Sequence, residues 1–350
     1  MTSWTSVPIA LLLSCVLASN CLADSLYEAA EKGDVSSLSL LLQQRAATVN
    51  QTNENGLTPL HAAVANGHVE VAQLLLDSGA AVNGRDARGF TPLHSAAMKG
   101  DAMMVSLLLR HGADASNRAA NGEPPLVQAM LSGKSSVIEA LFRREAFIVS
   151  PTNDSFRFAF LGARQELDAA FVAGANLKAL GFKWSLLHWA SAGGHKEIIV
   201  DLVGRGLPVT ISEPDGNTPL HVAVVFGQEE AVKTLLDLGA PVNATNMIGN
   251  VPLHSAALYG FTNIVRSLIK ANASLDSRNR PGWTPLHLAA RSGNLSVTKE
   301  LVRAGADAAA RNNAGMTALD LAVRSRNEDV IRYLEQAGRK YGASGSALKY

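Results

Sequence analysis

The chain has 350 residues, with 31 Lys and Arg against 30 Asp and Glu, so its formal charge is +1. That balance leaves no global field to draw in nucleic acid or an anionic membrane. Apolar residues make up 47% and aromatics only 5%, which excludes a disordered chain and calls for a core of Ala, Leu and Val.

Residues 1–23 contain no Lys, Arg, Asp or Glu and carry an apolar run from Val7 to Ala18. The run is shorter than the roughly 20 apolar residues that a spanning helix needs, so no stable membrane span is expected. It suits the apolar core of a secretory signal peptide, with Cys21-Leu22-Ala23 offering small residues for cleavage before Asp24. The residues ahead of the run lack the usual basic side chain. The segment is taken as a signal peptide over 1–23, placing the mature protein outside the cell or in a periplasm. The alternatives are an uncleaved anchor, or a cytoplasmic adaptor or inhibitor whose uncleaved N-terminal segment packs as an apolar cap. Cys15 and Cys21 are the only cysteines, so cleavage would remove every thiol and with it any zinc–thiolate or cysteine-nucleophile chemistry.

From Asp24 onward one pattern recurs. TPLH begins at Thr58, Thr91, Thr218 and Thr284, VPLH at Val251, and weaker copies at Pro124, Ser185 and Thr317. The steps 58–91–124 and 185–218–251–284–317 are all 33 residues. A Gly follows nine residues after most starts (Gly67, Gly100, Gly227, Gly260), and a second at +21 (Gly79, Gly112, Gly239, Gly305). Thr58 suits a helix N-cap and Pro59 the first helical position. A short helix to Gly67 is predicted, then a second carrying Val71, Leu74 and Leu75 to Gly79. The polar, glycine-flanked stretch 80–90 is predicted to be a turn or finger.

A 33-residue period with T-P-L-H-x-A resembles the ankyrin repeat family. The resemblance covers 24–338 in ten units, starting near 24, 58, 91, 124, 153, 185, 218, 251, 284 and 317. It implies an all-α solenoid of helix-turn-helix units with finger or β-hairpin-like loops, in which stacking buries Leu60, Leu93, Leu126, Leu187, Leu220, Leu253 and Leu286. Unit 153–184 departs from the pattern. It has no TPLH, the finger before it is shortened, and Phe156, Phe158 and Phe160 replace small residues, so a missing finger, a local bend and poor interfaces are expected. Residues 339–350, basic and rich in Gly and Ser, are expected to be a flexible tail.

All nine histidines fall at repeat positions: His61, His94, His188, His221, His254 and His287 in the motif, His68 and His195 after the inter-helix Gly, and His111 before Gly112. Such recurrence predicts a structural device that hydrogen-bonds the turn before each helix, because a 33-residue spacing separates neighbouring ligands by a layer. Gly133-Lys134-Ser135 is not a phosphate loop, since position 128 is Gln where that motif needs Gly. No catalytic, cofactor or metal site is therefore expected.

What remains is a surface. The resemblance implies that a protein partner docks on the concave side, made of finger tips and exposed ends of the first helices, with the chain acting as a monomeric scaffold. Large apolar or cationic residues at positions expected to face solvent are Phe226, Met247, Ile248, Tyr259, Arg280, Trp283 and Arg291. Phe226, Tyr259 and Trp283 are expected at matching registers on adjacent layers, as one strip. Five Asn-x-Ser/Thr sequons, at Asn50, Asn153, Asn243, Asn272 and Asn294, bear on glycosylation only in a eukaryotic secretory pathway.

Overall fold

The computed structural model describes residues 26–43, 49–144 and 151–342. The leader at 1–23 and the shortened finger around 145–150 lie outside them. The described residues belong to two compact units, Met1–Phe147 and Ile148–Tyr350.

Each unit is a stack of short helix pairs. The first contains α1 (26–32), α2 (Val35–Gln43), α3 (Pro59–Asn66), α4 (Val69–Asp77), α5 (Pro92–Lys99), α6 (Ala102–Arg110), α7 (Pro125–Ser132) and α8 (Ser135–Arg144). The second opens with the aberrant pair α9 (Pro151–Leu161) and α10 (Arg164–Val172), followed by α11 (Leu186–Gly193) and α12 (Lys196–Gly204). It continues with α13 (Pro219–Val225), α14 (Glu229–Asp237), α15 (Pro252–Tyr259) and α16 (Thr262–Lys270). The final pairs are α17 (Pro285–Arg291) with α18 (Leu295–Arg303), and α19 (Ala318–Arg324) with α20 (Glu328–Gly342). The last helix thus runs four residues into the segment expected to be a flexible tail. First helices pack on first helices and second on second, the first layer more closely.

The motif places each first helix. In α3, Thr58 is extended at the N-cap, its Oγ accepts the His61 N–H at 3.3 Å, and Pro59 occupies the first turn. The helix stops at Gly67, which adopts φ 79°. In the equivalent Gly260 (φ 79°) a second reason for glycine appears. A Cβ there would come within 2.7 Å of the Asn294 side chain, which reaches back from the next layer to the Ala257 and Leu258 carbonyls at 2.9 Å each. Arg326 holds the corresponding place in the final pair with φ 59°. No further layer packs on it among the described residues, so its side chain has room that Gly260 lacks.

The core is made as composition requires. Leu60, Leu93 and Leu126 in the first unit, and Leu187, Leu220, Leu253 and Leu286 in the second, are buried, with Ala62, Ala63, Ala96, Ala97, Ala289 and Ala290 between close-packed helices. Burying one such Leu contributes about 1.5–3 kcal/mol. No short pair could stand alone without this stacking.

Toward α11 the aberrant pair corrects the expectation of poor interfaces. Phe156, Phe160, Trp184 and Trp189 are all buried, Trp189 completely. The Trp189 ring lies 6.1 Å from Phe160 and 5.0 Å from Trp184, and its Nε1–H donates to the Gly181 carbonyl at 3.3 Å. Large rings replace the missing small-residue contacts. The loop before α11 is a two-stranded antiparallel hairpin, β1 (Leu180–Gly181) with β2 (Trp184–Ser185), pairing Leu180 with Ser185 and Gly181 with Trp184. Its turn residues, Phe182 and Lys183, both take positive φ, 52° and 72°, without being glycine.

Candidate interaction surface

The fingers are built by one repeated device. In the first unit the Asp86 carboxylate accepts the N–H groups of Arg88 (2.9 Å) and Phe90 (2.8 Å). Asn246 plays the same part for Ile248 and Asn250, and Asn279 for Trp283. Successive tips are tied through backbone. Met247 N–H donates to the Asp215 carbonyl (2.9 Å), Arg280 to Ile248 (3.0 Å) and Asn313 to Pro281 (3.1 Å). In the first unit Ala87 bonds Asn55 and Ala120 bonds Arg88 in the same way. The tips therefore form continuous ledges one layer per step.

Beneath the tips runs a ladder of amides. Asn246 Nδ2–H donates to Asn217 Oδ1 and Asn279 Nδ2–H to Asn250 Oδ1, both at 2.9 Å, while Asn217 also bonds Glu213. Burial pushes the Glu213 carboxyl up from its usual pKa. The ladder breaks at Trp283, which stands where an Asn acceptor would meet Asn312. The buried Asn312 Nδ2 is left without a partner.

The motif histidines hold the same region together. His61 Nδ1 accepts the Thr58 N–H at 3.2 Å and Nε2 meets the Phe90 carbonyl of the following finger at 3.2 Å. His254 repeats this with Val251 (3.1 Å) and the Trp283 carbonyl (2.9 Å), and His221 with Thr218 and Asn250. With Nδ1 facing an N–H donor, the proton sits on Nε2, and each ring is a neutral strut. Burial lowers the pKa of all six, to about 4 for His188 and His221. Sequence spacing predicts the link to the turn before each helix. It misses the second link, 29 residues ahead, which only stacking creates. His68 and His195 bridge layers too, through Nε2 to the Glu31 and Phe160 carbonyls. Among the described residues no group of three or more His, Cys, Asp or Glu could hold a metal ion. No helix there is long and apolar enough to cross a membrane.

The candidate docking residues separate on inspection. Met247 and Ile248 stand at a finger tip, each 54% exposed, and Tyr259 ends α15 at 47% exposed with its ring 5.9 Å from Phe261. Arg280, at the next tip, and Arg291, at the end of α17, are exposed. Trp283 is half-buried at its finger base, with the Arg291 guanidinium 5.0 Å over its ring. Phe226 does not belong with them. It is 8% exposed and packs edge-on against Trp184 at 5.9 Å, because the ring fills space beside the aberrant unit. Nor do Tyr259 and Trp283 share a register: the residue 33 after Tyr259 is Ser292. The register preceding Tyr259 runs Val225, Leu258, Arg291, Arg324, turning from apolar to cationic along the stack.

Family models described as ankyrin repeats match residues 26–76, 82–152, 160–246 and 249–344. The chain is an ankyrin repeat protein, a class built as a protein–protein interaction module. Fifty-eight residues are 47% identical to "Probable E3 ubiquitin-protein ligase XBOS32" of Oryza sativa subsp. japonica. The match covers 17% of this chain and 11% of that protein, so the chain spans about a tenth of the relative's length.

Proposed function

We propose that this chain is an exported, non-enzymatic scaffold that binds a protein partner along the ledge of the second unit formed by its finger tips and the ends of its first helices. The observation that carries this reading is the exposure of large apolar side chains on a rigid ledge: Met247 and Ile248 at 54% and Tyr259 at 47%. Each stands on hydrogen-bonded backbone, so little ordering entropy opposes binding. Trp283 and Arg291 supply the kind of aromatic and guanidinium anchors that dominate interfaces. Export rests on the apolar leader, and the engagement of the motif histidines as buried neutral struts favours binding over catalysis.

Two measurements test the two parts. A photo-crosslinking residue at position 259, introduced into the full chain in its native host, should trap a protein adduct. The same group at Val200, 46% exposed on the second-helix layer, should not; equal trapping at both positions argues against a defined ledge. N-terminal sequencing of the recovered protein should begin near Asp24, and an intact Met1 in the cytosol sinks the export reading.

A further inference from the structure

The charge along this ledge bears on what the partner must carry. At the apolar end stand Leu258 and Tyr259, with Met247 and Ile248 at the tip above them. At the other end, one and two layers on, stand Arg291, Arg324 and the tip residue Arg280, all exposed. Helix layers lie roughly 10 Å apart, so the apolar and cationic ends are within reach of one extended segment of about ten residues.

These arginines are available. The ion pairs of the last layers, Arg266 and Arg303 with Glu300 and Arg332 with Asp329, involve only second helices. Arg291 is stacked on Trp283 rather than paired with a carboxylate. Three acids near them in sequence are engaged elsewhere: Asp320 accepts the Thr317 N–H and hydroxyl at 2.8 Å each, and Asp276 and Asp307 accept backbone N–H groups. Guanidinium groups that are exposed, without an ion pair among the described residues and held on a rigid frame favour carboxylates, which they can grip through two parallel hydrogen bonds.

We propose that the partner presents a segment with an aromatic or aliphatic anchor for Tyr259 and a run of acidic side chains for Arg280, Arg291 and Arg324. This rests on the ledge being the binding face. Attraction to such a segment weakens with salt, since the cations are exposed, while the anchor does not.

A displayed library of random 12-residue peptides, selected on the full-length protein, tests both levels. Retained peptides should be enriched in Asp and Glu beside an aromatic or Leu residue. Arg291→Glu with Arg324→Glu should weaken their binding at least ten-fold, and Tyr259→Ala by a similar factor. Arg324→Glu alone, at an exposed position without an ion pair, controls for loss of fold and should weaken binding while leaving the melting temperature unchanged. Peptides that need Tyr259 but ignore the arginines and show no acidic enrichment overturn the acidic segment and keep the ledge. Peptides indifferent to Tyr259 and the arginines alike, or a library from which nothing is retained, overturn both.

Discussion

Buried neutral histidines make this fold sensitive to acid. His188 and His221 titrate near 4 in the folded chain, against about 6.5 when unfolded. Below pH 6.5 the unfolded chain takes up protons that the folded one refuses. Stability is therefore fully present above that value and is lost as pH falls toward 4. At pH 5 the loss is roughly 2 kcal/mol for each of the two rings. Urea midpoints at pH 7 and pH 5 should show it, and His221→Gln should shrink the difference; equal midpoints would contradict the strut. Trp283 gives a second test at this scale. Trp283→Asn supplies the acceptor that Asn312 Nδ2 lacks, a gain of about 1 kcal/mol, but it removes the ring under Arg291. Calorimetry should find stability nearly unchanged while partner binding falls.

Helix ends and turns differ in what they ask of a side chain. Gly260 must be glycine twice over, for its positive φ and for the Asn294 side chain against it. Gly260→Ala should cost about 1–3 kcal/mol, read from denaturant unfolding. The hairpin turn is the converse. Lys183 sits at φ 72° on an exposed turn, a conformation that disfavours any residue with a Cβ. Lys183→Gly should raise stability by about 0.5–1 kcal/mol after allowing for glycine's entropy when unfolded. A lower melting temperature would mean that the Lys183 side chain contributes more than its backbone strain costs.

At the scale of the whole molecule, stability is close to a sum over layers and their interfaces. In the second unit the aromatic cluster around Trp189 joins the aberrant pair to the regular layers. Trp189→Ala should cost about 3–5 kcal/mol and speed amide exchange through both α9 and α11, because neighbouring layers are coupled. Exchange confined to α11 would show that the cluster does not transmit stability. In the first unit α2 buries only Leu38. Its amides should exchange well before those of α5, which is flanked by layers on both sides.

Most of the architecture was legible because its signals are local and repeated. Thr58, Pro59 and Gly67 specify where a helix begins and ends through caps and φ alone, and a 33-residue period tells where the next must lie. Contacts between layers were not legible, since they join residues 29–37 positions apart through packing. The second hydrogen bond of each motif histidine, the Asn246–Asn217 step of the amide ladder and the side chain against Gly260 are all of this kind. The candidate ledge divides in the same way. Exposure of Met247, Ile248 and Tyr259 follows from their places at a finger tip and a helix end. The fate of Phe226 depended on a neighbour, Trp184, brought beside it by an aberrant unit whose sequence carries no motif. Periodicity assigns a residue to a position in its layer, and only the stacked neighbour decides whether that position is covered.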